Sequence, residues 1–348
     1  MSNQNLSQNL SRRGFMGMLG AMGAVALGAT GASALAAPSS KADGAKASSS
    51  AADKKRLSGG EPLSKVGITY VTSPLNVPSI VEKSEGYFDD AFGKLGATVE
   101  YPELTSGADQ TQALASGDVQ FLNAVGATSV VQAAAAGSDV KVLTMYSRSP
   151  KAFSLYTKDD SLSSPEALKD KTVAGPVGTN LHQLLIAYLA TAGMTIDDVQ
   201  FANMSIPNAM AALEGGSIDV ALIAGPTAYN AGKAGYHKVT DGEGLIAASI
   251  AVGVSDAFYQ THGDAVQAFL DAQAQALAFM KDHHEDTVQI VAKELGLDEQ
   301  AVNDMYGDYD FSIDVTDEDK KGFKDTADFM LQAEMIKAEV DTDKLFLL

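Results

Sequence analysis

From residue 65 onward, short apolar runs alternate with stretches in which apolar residues recur every three or four positions. The runs 65–71, 97–101, 119–123 and 140–146 are rich in β-branched and aromatic residues and read as strands. Between them 76–83, 109–115 and 128–136 read as helices, the first stopped by Gly86 and the third by Gly137. The same grammar returns with a strand at 172–174, a helix at 179–192, a strand at 199–203, a helix at 208–214 and a strand at 218–223. Leu181, Leu184, Leu185, Tyr188 and Leu189 give the 179–192 helix its 3.6-residue stripe. Beyond Ser255 the pattern is mostly helical, with long members near 264–281, 285–295 and 317–338. Strands alternating with helices predict βα units, a largely parallel sheet and an α/β fold.

An internal repeat sharpens this picture. A displacement of 99 residues lays Ser106 on Ser205, Asp109 on Asn208, Ala113 on Ala212, Leu114 on Leu213 and Gly117 on Gly216. It also lays Val119 on Ile218, Phe121 on Val220, Gly126 on Gly225 and Thr128 on Thr227. Each copy is a capped helix, a glycine stop, a strand and a loop holding Gly and Thr. Coincidence in an Ala/Gly-rich chain is the competing explanation. Otherwise the body holds two lobes of similar build, with equivalent loops at strand C-termini, where open α/β sheets bind ligands.

The segment ahead of the body reads differently. Ser11-Arg12-Arg13-Gly14-Phe15-Met16 precedes an apolar stretch over 15–32 and an Ala34-Leu35-Ala36 cleavage signal. That is the layout of a twin-arginine export leader over 1–36, and it predicts a periplasmic or extracytoplasmic protein folded before it crosses. A membrane anchor is the alternative, but Gly17, Gly20, Gly23, Gly28 and Gly31 dilute the stretch, and a stable span needs roughly 20 strongly apolar residues. Residues 37–63 read as a disordered linker of Ser, Ala, Gly and Lys, a tether or a plain spacer. With no cysteine, a lipid-bearing thiol, disulfides, Cys-ligated zinc and iron–sulfur clusters are excluded. The formal charge is −19, and loss of Arg12 and Arg13 with the leader takes it two lower, to −21. Such a surface repels phosphate backbones and anionic lipid, so no nucleic-acid partner is expected.

No catalytic signature emerges: no Walker loop, no Gly-x-Ser-x-Gly, no His pair at metal spacing. His283-His284-Glu285-Asp286 comes nearest to a metal cluster, but adjacent helical residues point about 100° apart, which favours a solvated helix junction. No metal or cofactor is expected. The chain offers instead helix N-termini after small polar loops: Ser106-Gly107-Ala108-Asp109, Asn123 through Gly126 to Thr128, Gly178-Thr179-Asn180, and Gly225-Pro226-Thr227. Free N–H groups and a partial positive charge there suit an anion or polar ligand without any basic side chain. Ordinary N-capping is the alternative at each loop. His182, in the first turn after Thr179, could donate to a ligand oxygen or be a packed, satisfied histidine. Asp109 would repel an anion if it faced the site; it could also cap its helix or select a cation. Ser73-Pro74-Leu75-Asn76 adds Ser73 and Asn76 by position after the first strand.

The ordered motifs Glu85-Gly86-Tyr87-Phe88, Ala113 through Gly117 to Val119, Gly175 through Asn180 to His182, Ala192-Gly193-Met194, Ala212-Leu213 through Gly216, and Ser217-Ile218-Asp219-Val220 carry a resemblance. Over 66–346 the chain resembles periplasmic solute-binding proteins of ABC importers for aliphatic sulfonates, taurine and nitrate, including the thiamine-pyrimidine-precursor branch. The resemblance implies a bilobal type II periplasmic-binding-protein fold, two doubly wound lobes around a cleft. Lobe 1 would comprise 64–148 plus 249–348 and lobe 2 149–248. It also implies a monomer that closes over a small-molecule solute and hands it to an ABC permease, and a protein that is not an enzyme. One departure is plain. Where many sulfonate binders have a Trp-Asp-Pro-like run, this chain has Ala224-Gly225-Pro226 and no tryptophan anywhere, so ligand identity does not carry over. A sulfonate- or taurine-like anion is the first expectation and a heteroaromatic pyrimidine precursor the second. The remaining alternatives are an enzyme on the scaffold shared with thiamine pyrimidine synthases, whose cysteine-rich segment is absent here, and a sensory module.

Overall fold

Two sheets of equivalent strand order organise the protein, seen in a computed structural model that describes residues 57–104 and 106–347. The leader and most of the expected linker lie outside the described residues. The linker's last part, 57–63, is seated: the Leu57 N–H donates to Gln267 Oε1 at 3.0 Å, and Gly60 bridges His262.

In chain order the first half comprises β1 (Lys65–Gly67), α1 (Val77–Ser84), α2 (Tyr87–Gly93), β2 (Thr98–Glu100), α3 (Gly107–Ser116), β3 (Leu122–Gly126), α4 (Ala127–Ala135) and β4 (Lys141–Arg148). The second half repeats the scheme with β5 (Phe153–Thr157), β6 (Thr172–Gly175), α5 (Asn180–Ala190), β7 (Gln200–Asn203), α6 (Ile206–Gly215), β8 (Val220–Ala224), α7 (Gly225–Lys233) and β9 (His237–Asp241). β10 (Ser249–Val254) follows, then α8 (Asp256–Thr261), α9 (Gly263–Asp282), α10 (His284–Leu295), α11 (Glu299–Tyr306) and α12 (Asp317–Gln332).

The second sheet runs β7-β6-β8-β5-β9. In the first, β1 pairs with β2, β10 lies between β3 and β4, and a parallel bridge from Ile68 to Phe121 joins the two ladders. The orders correspond strand for strand. β1, β2 and β3 match β6, β7 and β8, while β10 and β5 each enter from the other sheet. The largely parallel sheet expected proves mixed: β5 runs antiparallel to β8 and β9, and β10 to β3 and β4. Each of these two strands follows directly on a crossing of the chain, through 149–152 and 242–248, and so meets its neighbours head-on.

The 99-residue repeat is carried out to the residue in α3 and α6. Their bounds differ by that displacement, and Ser106 and Ser205 stand at their N-caps. Gly117 (φ +83°) and Gly216 (φ +73°) end them in the left-handed region that a residue with a Cβ enters at a cost. In the first half Phe121 stacks on Phe269 at 4.3 Å and Phe269 on Phe88 at 4.7 Å, giving that sheet an aromatic core. In the second, Leu155, Val173, Leu184 and Leu222 are fully buried.

The C-terminal helices wrap both halves: α9 and α10 pack on α1, α11 on α7 and α12 on α4. The stripe expected to run to residue 338 ends at Gln332. Glu334 takes φ +56°, and the N–H groups of Met335 and Ile336 both turn back to the Met330 carbonyl. Arg148 anchors the first crossing. Its guanidinium forks onto Asp319 of α12 at 2.7 and 2.6 Å and also donates to the carbonyls of Ser312 and Asp314, each at 2.7 Å. Burial alone would raise Asp319, but Arg148 and Thr316 outweigh it and hold the carboxyl below its ordinary range.

Candidate functional site

β1, β2 and β3 are mutually parallel, as are β6, β7 and β8, so each sheet gathers its loops at one edge. The two edges meet. A Cβ on Gly225, after β8, would lie 2.7 Å from the Cβ of Pro74, after β1. A Cβ on Gly178, after β6, would lie 3.1 Å from Met335 Cε, beyond α12. Further along α5, Gln183 Nε2 reaches Thr326 Oγ1 of α12 at 3.4 Å.

Five helices that follow the strands of these edges start without a side-chain cap: α1 after Asn76 and α4 after Gly126 in the first half, and α5 after Thr179, α6 after Ser205 and α7 after Ala224 in the second. An uncapped first turn leaves its amides to a partner from outside the helix. Thr179, the N-cap of α5, spends its hydroxyl on the Pro176 carbonyl at 2.8 Å. In α7, Pro226 removes one donor. Thr128 and Asn180 are buried. Thr227 is half-buried beside Pro226.

His182 is packed rather than free. Its ring stacks on Phe201 of β7 at 4.8 Å and meets the edge of Phe329 of α12 at 6.1 Å. The Gly178 N–H donates to Nδ1 at 3.3 Å. Nδ1 is thus the acceptor, which puts the proton of the neutral ring on Nε2. Burial lowers His182 below the usual imidazole range.

Several of the sequence-selected residues serve the scaffold. Asn76 donates both amide hydrogens to its own loop, to the carbonyls of Val71 and Ser73 at 3.0 Å each; Ser73 is exposed. Tyr146 occupies the start of α1, its hydroxyl accepting from the Ser79 N–H at 3.1 Å. Ser106 is the cap the alternative reading anticipates: its Oγ accepts from the Asp109 N–H at 3.4 Å, and both residues are exposed. Gly107 sits hard against Ser129 of α4. Asn123 turns its side chain inward, donating to Glu82 Oε2 at 2.6 Å and Ser79 Oγ at 3.3 Å. The residue after it, Ala124, takes φ +71° within β3.

Sequence reasoning placed the Pro74 loop at the site by position but singled out only Ser73 and Asn76 in it, and it missed Met335, Phe201, Phe329 and Glu82. Phe201, Phe329 and Glu82 lay within elements already identified, and Met335 reaches the junction from a distant segment. It also missed a cavity of about 260 Å³ between β5, α7 and α11, lined by Lys151, Tyr156, Lys233, Lys238 and Asp308. Its lysines are engaged by Glu243, Asp304 and Asp241 at 3.1, 3.3 and 2.8 Å. The His283–Asp286 run stands at the junction of α9 and α10: His283 stacks on Phe279 and lies 3.5 Å from Asp286 Oδ2, while His284 Nε2 pairs with Asn303 Oδ1 at 3.0 Å.

Two sheets of this order, each with an inserted antiparallel strand and their loop edges apposed, define the bilobal α/β class of solute-binding folds. Comparison with known proteins agrees. The family model described as NMT1/THI5 like matches residues 74–287, and the chain belongs to that family. It is 27% identical over 282 residues, 80% of this chain and 83% of the relative, to a Bacillus subtilis (strain 168) protein named "Putative aliphatic sulfonates-binding protein". It is 33% identical over 200 residues, 55% of this chain and 61% of the relative, to the taurine-binding periplasmic protein of Escherichia coli (strain K12). The crystal structure of the periplasmic aliphatic sulphonate binding protein SsuA from Escherichia coli superposes with a TM-score of 0.74 at 21% identity, covering 82% of this chain and 92% of that one.

Proposed function

We propose that this protein is the extracytoplasmic substrate-binding component of an ABC importer, which captures a small sulfonate- or taurine-like anion between its lobes. The observation that carries this reading is the set of uncapped helix starts, α4 on one side and α5 and α7 on the other, around an apposed pair of loop edges. Oriented amides and helix dipoles suit a sulfonate without a counter-charge. Arg148 is the one arginine among the described residues, and it is committed to Asp319. The relatives named for aliphatic-sulfonate and taurine binding support the same ligand class. The neutral His182, with Nε2–H as donor, adds a hydrogen bond to the ligand shell.

In this reading lobe 1 is 64–148 plus 249–348 and lobe 2 is 149–248. Ligand contacts formed only in the closed arrangement shift the open–closed equilibrium, and the permease takes up the closed form. Ser73, Asn76, Ser106, Gly107 and Asn123 shape lobe 1's rim, while Gly126, Thr128, Gly178, Thr179, Asn180, His182, Gly225 and Thr227 supply the contact surface. The protein is a monomer, exported by the twin-arginine route with cleavage after Ala36, and acts by binding rather than catalysis.

Isothermal titration of protein stripped of carried-over ligand, against alkanesulfonates, taurine, nitrate and pyrimidines, tests the reading. Saturable heat with a sulfonate is the expected outcome, and silence across the panel would overturn it. The His182–Phe201–Phe329 cluster favours a second ligand class, a planar heteroaromatic, which the pyrimidine arm decides. Export is tested by fractionating cells with and without a working twin-arginine translocase and sequencing the mature N-terminus.

A further inference from the structure

We propose that Glu82 is a positioning residue: an uncharged carboxylic acid beneath β3 that fixes Asn123, and with it the backbone of 123–126 leading into α4. The proposal rests on reading the junction of the loop edges as the solute site, and it extends that reading to a group that does not touch solute.

Glu82 is fully buried and forms no ion pair among the described residues. An isolated carboxylate in such a place is strongly disfavoured. Among the described residues its side chain's one hydrogen-bond partner is Asn123, 2.6 Å from Oε2, and Glu82 Oε1 and Asn123 Oδ1 are buried with no partner there. That separation is short for N–H···O and ordinary for O–H···O. The oxygen and nitrogen of an amide exchange places when it is turned over, so the same atomic positions accommodate a protonated Oε2 donating to Asn123 Oδ1. The Ser79 hydroxyl at 3.3 Å can then donate to the same oxygen, and Tyr146, 2.9 Å from Ser79, donates to Ser79 in turn. On its other side Asn123 is clamped to the segment after β1: its N–H donates to Thr69 Oγ1 at 2.8 Å, and the Thr69 hydroxyl reaches back to its carbonyl at 3.3 Å.

What this network holds is a backbone that needs holding. Ala124 at φ +71° occupies a region that an alanine enters only when its surroundings over-determine it. Three residues later the chain starts the uncapped α4. Loss of the Glu82 proton replaces a donor with an acceptor-only group. Asn123 must then present its NH₂ to Glu82, and Ser79 loses its acceptor.

Burial pushes Glu82 up to about 8, against the opposing hydrogen bond from Asn123. The titratable groups around it are Tyr146 of β4, Tyr70 beyond β1 with Glu294 of α10 on its hydroxyl, Tyr101 beyond β2 with Asp89 of α2 on its hydroxyl, and Lys83 of α1 lying over the Tyr70 ring. From α9, which also packs on α1, the buried polar group is the neutral Gln273, bonded to Thr144. Burial raises all three tyrosines, Tyr70 and Tyr101 further by their acidic partners. Glu82 is thus expected to change charge between pH 6 and 9 while the three tyrosines keep their protons.

The test uses the full mature chain and Glu82→Gln, which keeps a donor and an acceptor but cannot ionise. Difference infrared spectra, wild type minus variant, are expected to show a protonated carboxylic carbonyl band at pH 6 that is gone by pH 10. Hydrogen exchange over 123–129 is expected to match between the two proteins at pH 6 and to be about tenfold faster in the wild type at pH 9. Absence of the band, or equal exchange at pH 9, overturns the proposal. With ethanesulfonate as probe, wild-type affinity is expected to fall about tenfold from pH 6 to pH 9 while Glu82→Gln stays level. Parallel profiles would remove the link to binding. If the wild type takes up no ethanesulfonate at any pH, the sulfonate reading fails, and the exchange comparison still decides the role of Glu82.

Discussion

Gly225 and Pro74 touch so closely that one added methyl group on Gly225 would sit 2.7 Å from the Pro74 Cβ and 2.8 Å from its carbonyl oxygen. The two residues lie on loops of different sheets, so their contact fixes how near the edges come. The carbonyl is backbone and cannot swing aside as a flexible side chain would. Gly225 also takes φ +55°, a conformation natural to glycine. Gly225 within Ala224-Gly225-Pro226 is thus a place where the two edges leave no room for a side chain.

Gly225→Ala is expected to hold the edges apart. The left-handed backbone alone costs an alanine about 1–3 kcal/mol, which corresponds to a Tm roughly 3–8 °C lower. The fold should survive while ligand affinity falls by tenfold or more, on the order of 1.4 kcal/mol. Calorimetry and small-angle scattering check this: the variant should show no ligand-induced compaction. A variant that binds and compacts like the wild type would mean that Gly225 and Pro74 do not govern closure.

Much of this arrangement was legible before the structure, and the reasons can be located in particular residues. α3 and α6 were readable because Gly117 and Gly216 are local stop signals that act where they stand, and Ser106 caps α3 through its hydroxyl, while Ser205 holds the matching N-cap position of α6 without a side-chain bond. The inward turn of Asn123 was not, because Phe121, Leu122, Asn123 and Ala124 are all buried, and a strand covered on both faces loses the alternation that tells in from out. Ala124 compounds this, since nothing in its identity announces a left-handed backbone. The early end of α12 was hidden for a similar reason. Residues 331–338 hold no Gly or Pro and favour helix, yet the chain turns at Glu334 and brings Met335 to Gly178, a tertiary contact that overrides propensity.

Arg148 and Asp319 tie the first crossing to α12, and both are largely buried. Arg148→Ala should cost about 3–5 kcal/mol, because it strands Asp319 without a partner. Arg148→Lys keeps the charge but loses the planar fork, so its loss should be smaller but clear. The folded-state value of Asp319 lies below its unfolded one. Its contribution is therefore present above pH ~4 and lost as pH falls through the folded value. Denaturant titrations between pH 3 and 7, with Asp319→Asn for comparison, check the sign: the wild type's advantage over the variant should shrink in acid.

His182 should resist protonation. Its folded value is lowered by burial, so the stabilisation it brings is present above pH ~6.5 and disappears as pH falls through the folded value. Long-range ¹H–¹⁵N correlation spectra should show the Nε2–H tautomer at pH 7, with Nδ1 accepting from the Gly178 amide. On acidification the ring is expected to protonate at a lower pH than a free histidine side chain in the same buffer. A midpoint at or above that of the free side chain would contradict both the packing against Phe201 and the donor role assigned to Nε2.

Thr128 separates a ligand contact from a structural one. It is buried in the first turn of uncapped α4, and Thr128→Val preserves its shape while deleting one hydroxyl. If that hydroxyl faced protein, its removal would lower stability by about 0.5–1.5 kcal/mol and leave binding alone. If it meets solute, the pattern reverses. The Tm should then hold steady or rise slightly, because no protein partner is left unpaired, and affinity should drop about 3–10-fold, the worth of one neutral hydrogen bond. Thermal denaturation and titration of the same preparation decide between the two. A fall in Tm with unchanged affinity would take Thr128, and the α4 helix start with it, out of the ligand shell.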